Sequence, residues 1–568
     1  MSGKLSKVET IKENSRGLRG TIAEELKLET THFAKETTHL LKFHGIYQQE
    51  DRDQRVQRKE IGQEKAYQFM VRTKLPGGAL TAEQWIVLNR ISEFFGDGTL
   101  RITSRQDVQF HGVGKSNLQN AIQMLNSGMV TTYGACGDGT RNVIACPVSD
   151  LKKGGWFDAR HWAALISKHL SFRSTAYYEI WLDGERLKTD AVEDEPLYGK
   201  TYLPRKFKIG IALPDDNCVD VFTNDVGLIA IPDASHSGLA GFNVLAGGGM
   251  GSTNGQVQTF PRLADPVAFV PPEGLIDTIT RLTDIYRDFG DRADRKRARL
   301  KYVMEQLGVK RFRQELESRL GATLEMPRRI NIGQNLAHLG WHPEQRPGFF
   351  YLGVFVENGR IRDNPGSALK TGLSTVIERF RPAIRLSPTQ DIILAHIREE
   401  NRREVEQILS DHGVALAEQI SNLRRQSLAC PALPTCGLAL AEAERFLPSL
   451  IDALEVLGFG DEQVKIRMSG CPNACSRPPV AELAFMGSSK DLYNVYVGGN
   501  LEGTRLAALL YENVSSDGLA DTSAALLAGW RQHRQDQERF GDFCMRVGND
   551  RLRNLEQERY EEVQALSR

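Results

Sequence analysis

Apolar and polar positions alternate through "YQFMVRTKL" (67–75) and again, less strictly, through "GFFYLGVFV" (348–356), the pattern of half-buried strands. Each run is followed by helical spacing, "TAEQWIVLNRISEFF" (81–95) in the first case and "KTGLSTVIERF" (370–380) in the second. A further strand then leads each time into a Gln-Asp turn. Two similar α+β units, far apart in one chain, point to internal duplication.

A direct comparison of the two regions bears this out at residue level. "LRITSRQDVQFHG" (100–112) lines up with "IRLSPTQDIILAH" (384–396), which matches Arg101 to Arg385, Gln106 to Gln390 and Asp107 to Asp391. The same offset pairs "RNVIACP" (141–147) with "RQSLACP" (425–431), so Cys146 falls on Cys430. "LPGGAL" (75–80) echoes "NPGSAL" (364–369) at a slightly different offset, the mark of a small insertion or deletion. The expected fold is therefore α+β and internally duplicated, with the two halves facing one another across a shared cleft.

Composition narrows the class without deciding it. A chain of 568 residues divides into about three or four domains. Its 72 basic and 72 acidic residues cancel, which leaves no global pull toward nucleic acid or an anionic membrane. No apolar run is long enough to span a bilayer, and the opening "MSGKLSKVETIKENSRG" is too polar for a signal peptide, so a cytoplasmic protein is expected. The charge runs "QQEDRDQRVQRKE" and "DRADRKRARLKY" (291–302) read as solvated surface, the second with helical character. Eight cysteines in so long a chain are no disulfide framework. Cys136, Cys146, Cys218 and Cys544 are scattered and read as ordinary buried thiols.

The other four are not scattered. Cys430 and Cys436 lie in "ACPALPTCG", Cys471 and Cys475 in "SGCPNACSRPP", giving C-x5-C, a gap of 34 residues, then C-x3-C. Structural zinc knuckles are tighter, whereas an iron–sulfur cube accepts looser spacing, so a cluster is favoured over zinc. Pro431 and Pro472 stiffen these loops, and Gly470 lets backbone approach a bulky inorganic core. The periodicity of "GLALAEAERFLPSLIDALEVLGF" (437–459) predicts an amphipathic helix that anchors the first loop.

These two cysteine segments, extended to "CPALPTCGLALAEAERF" and "RMSGCPNACSRPPVAELAFMG", closely resemble the sirohaem-containing sulfite and nitrite reductases. "RGTIAEEL", "FHGIYQQEDRD", "TYLPRKFK", "GFNVLAGGGMG" and "FGDFCMR" resemble, within that family, the haemoprotein (beta) subunits of bacterial NADPH-dependent sulfite reductases. The likeness runs from residue 18 to 547. It implies a pseudo-two-fold fold with ferredoxin-like half-domains: an N-terminal extension over 1–60 as a partner-docking element, half-domains over 61–140 and 346–420, and sirohaem-binding domains over 141–345 and 421–568.

The resemblance also implies a [4Fe–4S] cluster on Cys430, Cys436, Cys471 and Cys475, with Cys475 doubling as axial ligand to the sirohaem iron. It implies a sulfite-binding, proton-donating set of Arg72, Arg141, Lys206 and Lys208, in which arginines orient the anion and lysines donate. Sirohaem contacts fall by the same resemblance on Arg101, Thr103, Arg105, Gln109 and His111, with Asn473 beside the cluster. Strand alternation puts Arg101, Thr103 and Arg105 on one face, and Lys206 with Lys208 on another. The implied reaction is six-electron reduction of sulfite to sulfide for cysteine biosynthesis. "AGGGMG" is no dinucleotide fingerprint, so electrons come from outside, by resemblance from an NADPH-oxidising flavoprotein (alpha) subunit carrying FAD and FMN. A sirohaem nitrite reductase, a ferredoxin-dependent sulfite reductase and a zinc-stabilised scaffold are the competing readings. Ala474, Lys74 and Ser104 depart from the family pattern without removing a ligand. The polar tail after residue 548 carries no assigned role.

Overall fold

The computed structural model describes residues 4–177, 181–182, 185–186, 195–335 and 337–566. Two antiparallel five-stranded sheets carry the strand–helix units expected from the pattern. One runs Ile46–Glu50, Tyr67–Arg72, Val108–Val113, Leu100–Ile102, Arg360–Ile361; the other runs Gly340–Pro343, Phe349–Val354, Ile392–Arg398, Ala383–Leu386, Ala79–Leu80. Each half thus lends a two-residue strand to the edge of the other half's sheet: Arg360 sits opposite Arg101, and Ala79 opposite Arg385. The helices Ala82–Phe95 and Leu369–Phe380 bury Trp85, Leu88, Leu373 and Val376 in one apolar core shared by both sheets. A capping box starts the first helix, Thr81 Oγ1 accepting from Gln84 N while Gln84 Oε1 accepts from Thr81 N.

A second pair of five-stranded sheets repeats the same order of pairings. Ile144–Ala145, Ile209–Ala212 and Val226–Pro232 are parallel, and Leu239–Ala246 and Asp265–Val270 follow antiparallel. Ser427–Ala429, Ile466–Ser469, Leu483–Ser489, Leu492–Val497 and Ala508–Ser515 do the same. Both sheets are followed by two helices, Leu275–Phe289 with Leu300–Leu320 and Leu519–His533 with Phe540–Leu566. The last helix of each pair is broken at a glycine of matching conformation, Gly308 (φ 72°) and Gly548 (φ 76°). Only glycine takes that backbone region without strain. The segment after residue 548 is thus helical and has a counterpart in the first half.

The residues that revealed the repeat are where the halves clasp. Arg101 donates to Glu444 Oε2 (2.7 Å) and Ala429 O (3.1 Å), and Arg385 donates to Asp150 Oδ1 (2.6 Å) and Pro147 O (2.7 Å). Arg101 therefore grips the chain on both sides of Cys430, and Arg385 the segment just after Cys146. Gln106 (φ 58°) and Gln390 (φ 75°) both take left-handed turns, and Gln106 Nε2 bonds Leu386 O across the halves at 2.8 Å. Burial pushes both Asp107 and Asp391 up to about 7.

Three local expectations are corrected. The helix expected over 437–459 spans only Leu447–Val456, because Leu440 and Ala441 give their backbone N–H groups to Gly470 O (2.7 and 3.0 Å) instead of to a helix. The basic run 291–302 is not a solvated face: Arg292 pairs with Glu9, Arg295 with Asp138 and Arg299 with Asp225, and Lys301 is buried. The segment before residue 60 is built into the body, since Ile46–Glu50 is a strand, Lys12 is buried and Arg52 donates to Cys436 O (3.2 Å) and Ala439 O (2.6 Å). Among the described residues no helix is long and apolar enough to cross a membrane.

Candidate functional site

Cys430 and Cys471 stand at the ends of two adjacent parallel strands, Ser427–Ala429 and Ile466–Ser469. The strand register brings them together, with Cys430 N donating to Met468 O (3.2 Å) and Gly470 N to Cys430 Sγ (3.4 Å). Gly470 is confined between loops: a Cβ there would lie 2.4 Å from Ala441 O and 2.6 Å from Ala432 Cβ. Cys436 follows on a turn whose carbonyl Arg52 holds. Ala474 (φ 52°) and Arg477 (φ 62°) then bend the second loop so that Cys475 is exposed at its tip. The glycine-rich stretch supports this loop from the side: Ser252 N donates to Pro472 O (2.8 Å), and a Cβ on Gly251 would lie 3.0 Å from Asn473 O.

Burial raises the Cys430, Cys436 and Cys471 thiols, Cys436 to about 11, and in each the neighbouring negative charge of Cys475 raises them further. Four sulfurs that destabilise one another as thiolates are a donor set awaiting positive charge. The set fits an iron–sulfur cluster, whose iron charge would offset that repulsion.

Cys475 opens onto a cavity whose walls include Asn473, Arg105, Lys206, Lys208, Arg299 and Arg477. Lys206 and Lys208 face it together, while Phe207 between them is buried and stacks on Tyr286 at 5.6 Å. Burial and then the Arg299 and Arg205 charges lower Lys206 to about 7. Lys208 is held well below the usual lysine range, by burial and then by Lys206. Arg105 donates to Asn224 Oδ1 and Ile209 O, both at 2.9 Å. Five cationic side chains around one cavity fit a polycarboxylate macrocycle and a small oxyanion.

The remaining expected residues lie elsewhere. Arg72 and Arg141 do not line the cavity: Arg72 Nη1 donates to Cys136 Sγ (3.4 Å), and Arg141 Nε donates to Gly137 O (3.0 Å). With its amide oxygen turned toward Arg72, Gln109 accepts from Nε at 3.2 Å. Leu100–Ile102 ends before Thr103, so Arg101, Thr103 and Arg105 do not share a strand face. Thr103 Oγ1 instead accepts from Arg105 N and Asp107 N (both 3.2 Å), turning the chain. Arg101 is committed to the clasp. His111 is buried, neither ring nitrogen has a hydrogen-bond partner, and burial holds its pKa well below the usual range.

Two features were missed from sequence. Arg299 fixes Asp225 through two bonds (3.0 and 2.7 Å), and Asp225 in turn accepts from Lys208 N (2.8 Å). Asp220 collects Lys465 (2.9 Å), Arg467 (3.3 Å) and Arg477 (2.6 Å) on one buried carboxylate, and those cations outweigh burial to hold it well below the usual range. The sole signal was the repeat, since Asp225–Arg299 recurs as Glu482–Arg539 (2.8 Å), but drift in residue type hid it.

Comparisons agree with this architecture. The profile described as "Nitrite and sulphite reductase 4Fe-4S domain" matches residues 136–324 and 425–563, and "Nitrite/Sulfite reductase ferredoxin-like half domain" matches 61–128 and 342–412. The chain belongs to the nitrite and sulfite reductase family, as its duplicated α+β fold and paired matches require. Within that family, it is 43% identical over 553 residues to the "Sulfite reductase [NADPH] hemoprotein beta-component" of Staphylococcus haemolyticus, covering 96% of this chain and 95% of the relative. It is also 43% identical over 552 residues to the protein of that name from Anoxybacillus flavithermus, covering 96% of each. Mycobacterium tuberculosis NirA superposes with a TM-score of 0.78 at 25% identity, covering 96% of this chain and 97% of that one.

Proposed function

We propose that the chain is the haemoprotein subunit of a sulfite reductase, which reduces sulfite to sulfide by six electrons taken from a separate NADPH-oxidising flavoprotein. The observation that carries this is the opening of Cys475 directly onto a cavity lined by Arg105, Lys206, Lys208, Arg299 and Arg477. The relatives' printed name supplies the substrate and the nicotinamide.

Cys430, Cys436, Cys471 and Cys475 would hold a [4Fe–4S] cluster, and the cationic cavity would hold sirohaem with Cys475 on its iron. Bound there, the two groups supply electron storage and a Lewis-acidic iron at which a sulfur oxyanion is reduced. The chain's own residues supply charge and protons. Arg105 stays protonated and orients oxygens, held by Asn224 and the Ile209 carbonyl. Lys206 and Lys208, crowded by cations, give up protons more readily than free lysine and act as general acids toward departing oxygen. Arg141 adds positive charge beside Lys206 without lining the cavity.

The ratio of kcat/KM for sulfite over nitrite, measured with an artificial one-electron donor, tests the substrate. Sulfite should win, and a strong preference for nitrite would refute this reading.

A further inference from the structure

Cys146, Asp216, Cys218 and His338 are not among the cavity's lining residues and take no part in the chemistry above. Their ligand atoms all fall within 4.8 Å of one another, and among the described residues this is the one group of His, Cys, Asp and Glu side chains with that spacing. Three separate segments converge to build it. Cys146 follows the strand Ile144–Ala145, Asp216 and Cys218 sit in the loop after the parallel neighbour Ile209–Ala212, and His338 precedes the strand Gly340–Pro343. Gly333 N to Pro214 O (2.6 Å) and Asn217 N to Gln334 O (2.9 Å) zip the last two segments together.

We infer that these four side chains bind one zinc ion. Two thiols, an imidazole and a carboxylate are a tetrahedral zinc donor set with no position left for water. With zinc bonds of about 2.0–2.3 Å, a tetrahedron has edges of roughly 3.3–3.8 Å, within the 4.8 Å that bounds the four ligand atoms, and the two short contacts to Asp216 Oδ2 would open by a few tenths of an ångström. The His338 side chain is 7% exposed, and its Nε2 pairs with Asp216 Oδ2 at 3.1 Å. Cys146 Sγ donates to the same oxygen at 2.9 Å. Thiol and imidazole thus converge on one carboxylate oxygen, which puts three of the four donor atoms in one small buried volume. Asp216 is oriented independently, since Oδ1 accepts from Cys218 N at 3.0 Å.

The duplication supplies a second argument. Cys146 is the counterpart of Cys430, and both follow the first of two parallel strands; the loop bearing Cys218 follows the strand equivalent to the one before Cys471. The first half therefore carries a mononuclear metal position where the second half carries the cluster cysteines. The ion would lock the 213–220 loop, whose Asp220 anchors Arg477 beside Cys475, while Asn335 joins Cys218 O (3.1 Å) to Asp220 Oδ1 (3.0 Å).

Elemental analysis of holoenzyme purified without chelator tests this. One zinc per chain is expected, with an X-ray absorption fine structure of two sulfurs at about 2.3 Å and two nitrogen or oxygen ligands at about 2.0 Å. The Cys146→Ser/Cys218→Ser double variant should lose zinc and melt at lower temperature while keeping its iron content and visible spectrum. His338→Ala should weaken zinc retention against a chelator. The inference is overturned if the holoenzyme holds no zinc and takes up none from equimolar Zn²⁺, if the double variant keeps it, or if peptide mass analysis finds a Cys146–Cys218 disulfide. Should the double variant not fold, the wild-type stoichiometry and ligand set decide alone.

Discussion

Lys206 and Lys208 reach one cavity because residues two apart on an extended chain point the same way, and Phe207, pointing the other way, is buried against Tyr286. That pairing was legible in "PRKFK", as were the four cysteines, because the signals are local. Arg299 and Asp220 were not, since their meaning comes from partners at Asp225 and Arg477, far along the chain. Lys206 is lowered to about 7, so its ammonium is fully present below that pH and lost as pH rises through it. A bound polyanion moves the transition upward, never below. kcat/KM should therefore fall along an alkaline limb at or above pH about 7, and Lys206→Arg, which keeps its charge, should shift that limb to higher pH. A pH–rate profile checks this; an unmoved limb would assign the titration to another group.

Elements, rather than residues, bring the cysteines together. Adjacent parallel strands end at Cys430 and Cys471, and Gly470 lets the two following loops touch. Apolar periodicity over 437–459 suggested a longer helix, but it could not report that Gly470 O takes two of the N–H groups such a helix needs. Likewise, basic spacing in 291–302 could not reveal that acidic partners were waiting at Glu9, Asp138 and Asp225. Gly470→Ala would force a Cβ to 2.4 Å from Ala441 O. The variant should be recovered with less than half the cluster iron of the parent, as read by iron and labile-sulfide assay; full iron content would mean that the loop is free to shift.

At the scale of the molecule, two halves are held by exchanged edge strands and reciprocal arginine clasps. The duplication was readable because its clasp residues, Arg101 with Arg385 and Gln106 with Gln390, kept their identities. The exchanged strands were not, because two residues carry no periodicity. Glu444 binds both Arg101 (2.7 Å) and Arg360 (2.7 Å), and those cations outweigh burial to hold it at about 2. Glu444→Ala leaves two buried guanidinium groups without their carboxylate, and should lower stability by about 3–5 kcal/mol in urea denaturation. A loss under 1 kcal/mol would mean that the clasp does not hold the halves.

The whole account rests on Cys475 joining a metal–sulfur centre to the cationic cavity. Iron and acid-labile sulfide should be counted, and the visible spectrum recorded, for the wild-type chain and Cys475→Ser, both produced with sirohaem supplied. The wild type should carry labile-sulfide iron and a haem-like chromophore, and the variant should lose the cluster and the coupled haem bands together. A wild-type chain with neither, or a variant with both unchanged, would contradict it.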